Sequence, residues 1–220
     1  MTKMLDLTLD LHEGMATYPS PWHPVVDVKQ MGRIPMEHRR SYAVTLGTHT
    51  GTHMDSPAHM VEDGFTIDQV PLETIVGKCK VIDMTNKGRG DKITVEDLKN
   101  CGHTLEKGDR ILIKTGWYKE WGSNAYFTSW PWVTAEAARY IVDSGVIFAA
   151  MDIPSPDDAN SNTGYGMPSP IHDIFLQNEV ILVEYLTNTL EITAKEVKIV
   201  ALPLRVRGCD GFPCRVFVEF

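Results

Sequence analysis

Leu5, Leu7, Leu9 and Leu11 alternate with Asp6, Thr8 and Asp10, a period of two that predicts a strand with one buried face. Glu13 to Pro24 breaks this rhythm with Gly, Pro and Ser and carries Tyr18 and Trp22. It reads as a loop with exposed aromatics, either a tip packed on the body or a wall over a binding site. Tyr42 to Leu46, Lys80 to Met84 and Arg110 to Lys114 are further strand-length segments ended by turn formers. Thr94 precedes VEDLKN with Asp97 three residues on, which resembles a capping box opening a short helix. Thr134 caps a second helix, AEAARYIVDSG, with an apolar stripe of Ala138, Ile141 and Val142 and with Gly145 placed to end it. The apolar run VIFAAMDIP follows at strand length. Ser169 and Pro170 start a third helix, which buries Ile171, Ile174 and Phe175 and carries His172 in its first turn. Val180 to Val183 is a fully apolar strand ending at Glu184. Lys198 to Val206 is another, and Cys214 to Phe220 is the last, after a Gly211-Phe212-Pro213 turn. Strands and helices alternate without a clean βαβ repeat, and no linker or internal repeat separates them. One mixed α/β domain over residues 1–220 is expected.

Composition narrows the function. Of 220 residues, 43% are hydrophobic, enough for a full core. Lys plus Arg number 21 against 29 Asp plus Glu, a net charge of −8, which argues against nucleic acid and anionic membranes as partners. The local basic patch of Arg33, His38, Arg39 and Arg40 reads as a solvated turn. No run approaches the ~20 apolar residues of a membrane helix. MTKMLDLTLD has no apolar signal core, and Cys79, Cys101, Cys209 and Cys214 form no CxxC pair. Reduced thiols in a cytoplasmic protein are the simplest reading.

The chemistry concentrates in Gly47 to Met60, GTHTGTHMDSPAHM. His49, His53 and Asp55 form H-x-x-x-H-x-D, and all three side chains ligate divalent metals. The intervening glycines and threonines are poor helix formers. In a straight strand, residues four apart lie ~13 Å from each other, whereas ligands of one ion sit ~2 Å from it. The backbone must therefore curl, and Gly47 and Gly51 are the residues that allow it. His59, held after Pro57, is a further ligand, a general acid or base, or a satisfied histidine. Glu184 ends an apolar run, so its carboxylate is either paired at the sheet end or bound to a metal. Asp152, after another apolar strand, reads as a turn-capping residue. His12, His23, His38 and His103 have no partner pattern and are read as surface or loop residues.

GTHTGTHMDSPAH resembles the signature of the putative cyclase family of metal-dependent hydrolases, which includes bacterial kynurenine formamidase and isatin hydrolase. The likeness extends in order through LDLTLDLHEGMATYP, GDRILIKTGW, MDIPSPD, IHDIFLQ, VEYLTNTL and LPLRVRGCDGFPCR. It implies a swivelling β/β/α fold, usually a homo-oligomer such as a dimer or tetramer, with a site partly walled by a neighbouring subunit. Formamidase-like members bind two zinc ions, the favoured cofactor here. By that resemblance His49, His53 and Asp55 hold one ion. Asp55, His172 and Glu184 hold the other, with Glu184 also reaching the first. Isatin-hydrolase-like members use one manganese ion with the first three ligands. His59 matches the proton donor and acceptor, and Tyr18 falls where the formamidase has a substrate-contacting tryptophan. The formamidase Trp-Pro-Gly-Asp is here Tyr18-Pro19-Ser20-Pro21, which keeps an aromatic wall and loses the glycine and the acid.

The leading expectation is hydrolysis of a non-peptide amide in a small aromatic substrate, arylformamidase-like, by metal-activated water, with His59 moving the proton and Tyr18 and Trp22 contacting the ring. Ring opening of a cyclic amide is the alternative, and a metal-braced small-molecule binding protein is the non-enzymatic one. The ligand set is rich in carboxylate and free of cysteine, unlike a closed structural zinc site.

Overall fold

The computed structural model describes residues 3–160 and 168–220. In chain order the elements are β1 (Met4–Asp6), β2 (Asp27–Gly32), α1 (Ile34–Glu37), β3 (Ser41–Thr45), β4 (His53–Asp55), α2 (Leu72–Ile75), β5 (Val76–Asp83), β6 (Lys92–Ile93), α3 (Val95–Lys99), β7 (Arg110–Lys114), β8 (Trp132–Val133), α4 (Ala135–Asp143), β9 (Phe148–Met151), α5 (Pro170–Leu176), β10 (Ile181–Glu184), β11 (Glu196–Pro203) and β12 (Gly211–Glu219). The main sheet has eight strands in the order β1-β12-β11-β5-β7-β9-β10-β4. Because β4 also pairs with β12, all of these strands except β1 close into a barrel-like ring. β5, β7, β9 and β10 run parallel, while β11, β12 and β4 complete the ring through antiparallel pairs.

The strand period of two divides the apolar residues between two cores. Leu112, Phe148, Ala150, Ile181 and Val183 join Met54, Val216 and Val218 on one face. Ile111, Ile113, Ala149, Met151 and Leu182 face the other way and pack with Ala138 and Ile141 of α4 and Ile171 and Phe175 of α5. Thr94 caps α3 in a capping box with Asp97, and Thr134 caps α4 by accepting from the Ala137 N–H. Gly145, at φ +81°, turns the chain out of α4 towards β9. Ser169 precedes α5 without a side-chain capping bond. The Ile171 and His172 N–H groups instead donate to Asp157, at 2.7 and 3.3 Å.

Three boundaries differ from the expected ones. The first strand stops at Asp6 because the edge of β12 that pairs with Met4 to Asp6 is taken over further along by β4. Leu7 still donates to the Val216 carbonyl, but the Leu9 N–H turns to the Thr52 hydroxyl, 2.9 Å away. Gly211-Phe212-Pro213 is not a turn before the last strand: it is the start of β12, in register with Asp55, Met54 and His53. The penultimate strand ends at Pro203, short of Val206. Outside the main sheet, β2 and β3 form a hairpin with α1 at its tip, and every residue of β3 is exposed.

Candidate active site

The curl required of Gly47 to Met60 is present, and its two glycines act differently. Gly51 has φ +61°, the left-handed region open to glycine. Gly47 is not in that region. A Cβ there would lie 2.9 Å from Pro24 Cδ, so its role is close approach of the aromatic-bearing loop rather than a bend. The chain then straightens into β4, which turns Met54 into the core and His53 and Asp55 to the opposite face. A single 3-10 turn, Pro57–His59, follows and carries His59.

Sheet register supplies the rest. Glu184 stands directly across from His53, and Leu182 across from Asp55, so Glu184 shares the face of both β4 groups. His172, in the first turn of α5, comes onto the same face, with Nε2 3.2 Å from Glu184 Oε1 and 3.7 Å from Asp55 Oδ2. His53 donates Nδ1–H to the Gly51 carbonyl at 2.8 Å, which leaves Nε2 facing Asp55 Oδ1 at 3.3 Å and Glu184 Oε2 at 3.5 Å. His172 donates Nδ1–H to Asp157 Oδ2 at 2.6 Å. Each imidazole thus spends one nitrogen on a fixed acceptor and turns the other onto the same two carboxylates, the arrangement that orients metal-binding histidines. Asp55 Oδ2 and Glu184 Oε1 are buried and accept no well-aligned hydrogen bond.

His49 bridges two carboxylates, with Nδ1 2.7 Å from Asp55 Oδ1 and Nε2 2.7 Å from Asp210 Oδ2. Burial pulls its pKa down, but Asp55 and Asp210 outweigh this and raise it to about 10. The charge on His49 therefore stands among the carboxylates where a cation would be welcome. Asp55, though buried, is held well below the usual carboxylate range by His49 and His53. His172 is raised well above the ordinary imidazole value: burial opposes this, and Glu184 and Asp157 drive it. His59 is lowered by burial and by the charge of His49, against its bond to Asp210 at 3.0 Å.

Among the described residues, two three-residue sets bring ligand atoms within 4.8 Å of one another: His49, Asp55 and His59, and His53, Asp55 and Glu184. Asp55 is common to both. His49 and His53 meet it at Oδ1, while His172 stands 3.7 Å from its Oδ2 and 3.2 Å from Glu184 Oε1. All these groups line one cavity of about 290 Å³, together with Tyr18, Trp22, His23, Pro154 and Tyr185. Tyr18 packs edge-on to Phe127 and Trp130, and burial followed by the Glu184 charge raises its phenol to about 12. Trp22 is 55% exposed.

His23, read from sequence as a surface or loop residue, is a wall of this cavity. Its ring centroid is 6.3 Å from that of His49, and burial and the neighbouring imidazoles lower its pKa to about 4. Asp157 and Asp210 join the site through their contacts with His172 and His49, which the sequence does not predict. Asp157 follows the apolar β9 run closely, a local signal of a sheet-end carboxylate, whereas Asp210 sits in a glycine-rich turn with no local mark of a role. Asp152 caps as expected, but as a buried hub: it accepts from Thr115 and Gly116 of one turn and from Thr189 of another.

Residues 5–158 match a family model described as Putative cyclase. The kynurenine formamidase of Erythrobacter litoralis is 28% identical over 179 residues, covering 80% of this chain and 75% of its own. A solved structure described as a potential metal-dependent hydrolase with cyclase activity superposes with a TM-score of 0.78 at 29% identity, covering 100% of this chain and 98% of that one. Isatin hydrolase A from Labrenzia aggregata superposes with a TM-score of 0.89 at 22% identity, covering 99% and 93%, a likeness of fold.

Proposed function

The chain belongs to the Putative cyclase family, and we propose that within it this protein is a metal-dependent hydrolase that cleaves the C–N bond of a small aromatic amide. The observation that carries the reading is the pair of buried carboxylate oxygens, Asp55 Oδ2 and Glu184 Oε1, both facing His172 Nε2 without a well-aligned hydrogen bond, while the other oxygen of each carboxylate faces His53 Nε2. Unpartnered buried carboxylate oxygens are costly. Imidazole and carboxylate donors converging on them suit a divalent cation of the zinc or manganese type.

Asp55, His49, His53, His172 and Glu184 would hold the metal, and two zinc ions are the favoured content because Asp55 turns one oxygen to His49 and His53 and the other to His172. A divalent ion there supplies Lewis acidity and a nucleophilic water at neutral pH. His59, at the cavity wall and lowered in pKa, would serve as the proton acceptor for the attacking water and as the donor to the leaving nitrogen. Tyr18 and Trp22 give the cavity flat apolar surface against which an aryl ring stacks. Asp157 keeps His172 in one orientation through the chemistry.

Two substrate types fit this arrangement, an aryl formamide, as named for the formamidase relative, and a cyclic amide, as named for the isatin hydrolase neighbour. The test is metal content measured alongside hydrolysis of N-formylkynurenine and isatin. Release of formate and an arylamine favours the first substrate, and ring opening favours the second. Bound metal with no turnover of any amide would replace the enzyme by a metal-braced binding protein.

We also propose a homo-oligomer, a dimer or tetramer. The hairpin of β2 and β3 exposes Val25, Met31, Met36, Tyr42 and Val44 close together in sequence, more apolar surface than an isolated arm needs. All four cysteines are free, in keeping with a cytoplasmic setting.

A further inference from the structure

We propose that Asp210 is the positioning residue for the proton-transfer group, holding His59 by Nδ1 so that its Nε2 is the nitrogen offered to substrate. Asp210 lies outside the lining of the cavity, while His49 and His59 are part of it. One oxygen, Oδ2, contacts His59 Nδ1 at 3.0 Å and His49 Nε2 at 2.7 Å. A carboxylate oxygen has no proton to give, so both rings donate to it. That assigns the His59 proton to Nδ1 and leaves Nε2 with its lone pair. It also fixes the spacing of the two rings, whose centroids are 4.0 Å apart.

The backbone around Asp210 is built for this. Its carbonyl accepts from both the N–H and the hydroxyl of Ser56, at 2.9 and 2.8 Å. Ser56 lies between Asp55 and the 3-10 turn that carries His59, so one residue anchors Asp210 to both. Gly211 follows with no room for a side chain: a Cβ would lie 2.6 Å from the Met54 carbonyl, 3.0 Å from His49 Cε1 and 3.3 Å from Asp55 Oδ1. The missing Cβ lets β12 approach β4 and brings the Asp210 carboxylate up behind the two histidines. His59 sits at the end of a three-residue turn, where the backbone alone leaves its ring free to rotate.

The inference rests on the hydrolase reading for its kinetic consequence but not for the placement of the ring. The experiment therefore has two readouts on wild type, D210A and D210L. In metal-free protein labelled with 15N-histidine, the His59 resonances, identified by their loss in His59→Gln, should show the Nδ1–H tautomer in wild type. They should move towards Nε2–H in D210A. At saturating metal, D210A should lose about 10- to 100-fold in kcat with KM changed less than about threefold, and D210E should recover part of the loss. If D210A fails to fold, D210L keeps the branched shape of the side chain, leaves the Ser56 contacts to the backbone carbonyl in place and offers no acceptor, and the same tautomer shift is expected. An unchanged His59 tautomer in the folded variants, or a changed tautomer with wild-type kcat, overturns the proposal. Should wild type hydrolyse no amide at all, the hydrolase reading fails, and the tautomer readout alone still decides whether Asp210 sets the ring.

Discussion

Glu184 and His53 are 131 positions apart in the chain and directly opposite each other in the antiparallel pair of β10 and β4, with Glu184 Oε2 3.5 Å from His53 Nε2. Side chains directly across an antiparallel pair share a face and a fixed separation. The two halves of the site are therefore set against each other by strand register, not by flexible loops.

Removing a donor on β4 should remove metal. His53→Ala and Asp55→Ala are expected to lose bound metal and activity together, because His53 faces the Asp55 and Glu184 carboxylates and Asp55 faces the imidazoles of His49, His53 and His172. His59→Asn should keep its metal near wild-type content and lose about 10²- to 10⁴-fold in kcat. Metal analysis and steady-state kinetics on the same preparations check this, and near-full turnover in His59→Asn would remove its acid–base role.

Chelation should destabilise the protein as well as silence it. Stripping the ion leaves the buried oxygens Asp55 Oδ2 and Glu184 Oε1 without a well-aligned hydrogen bond, and a ligand bound only by the native state raises its apparent stability. The melting temperature is expected to fall on addition of a chelator and to return with zinc or manganese. No shift in melting temperature on metal removal would argue that these groups hold no ion.

Gly211→Ala tests the close approach of β12 and β4. The added methyl has backbone 2.6 Å away, which cannot rotate aside. A loss of about 1–3 kcal/mol in unfolding free energy is expected from overpacking, with metal affinity falling too because His49 and Asp55 are the other near neighbours. Denaturant unfolding and a metal titration measure the two effects.

The hairpin should be the oligomer contact. Val25 is 75% exposed and Met36 70%. Met36→Lys combined with Val44→Lys is expected to shift the protein towards monomer in light scattering without unfolding it, since neither side chain belongs to either core.

The capping box of α3 gives a pH signature remote from the site. Burial works against the Asp97 charge, but the Lys87 ammonium and the Thr94 groups hold its pKa below the ordinary 3.8. A depressed carboxylate contributes stability that is present above the unfolded pKa and is lost as pH falls through the lower folded value. Asp97→Asn should therefore be less stable than wild type at neutral pH, and the gap should close in acid below about pH 4. A gap independent of pH would assign the effect to packing.

Much of this was legible in the chain itself. The cluster of His49, His53, Asp55 and His59 announced its chemistry because ligand types, poor helix formers and glycines coincide within a few residues. The caps at Thr94 and Thr134 and the stop at Gly145 were readable because capping is local. His23 was not, because what makes it a wall of the cavity is the loop folding back onto His49, and no spacing in the sequence encodes that. Gly211 looked like a turn former for the same reason: its lack of a side chain serves a neighbouring strand rather than its own bend.

The sequence by itself determined the periodicities, the caps, the ligand types and their convergence on one curled segment, all properties of neighbours along the chain. Only the tertiary structure decided which distant carboxylate faces which histidine. Closing the sheet between β4 and β12 sets Gly211 to Pro213 against Asp55 to His53, and that register places Asp210 behind His49 and His59 and Glu184 across from His53. A shift of one residue in either pairing would turn these side chains to the opposite face. The site thus depends on strand register, a property of the closed sheet as a whole.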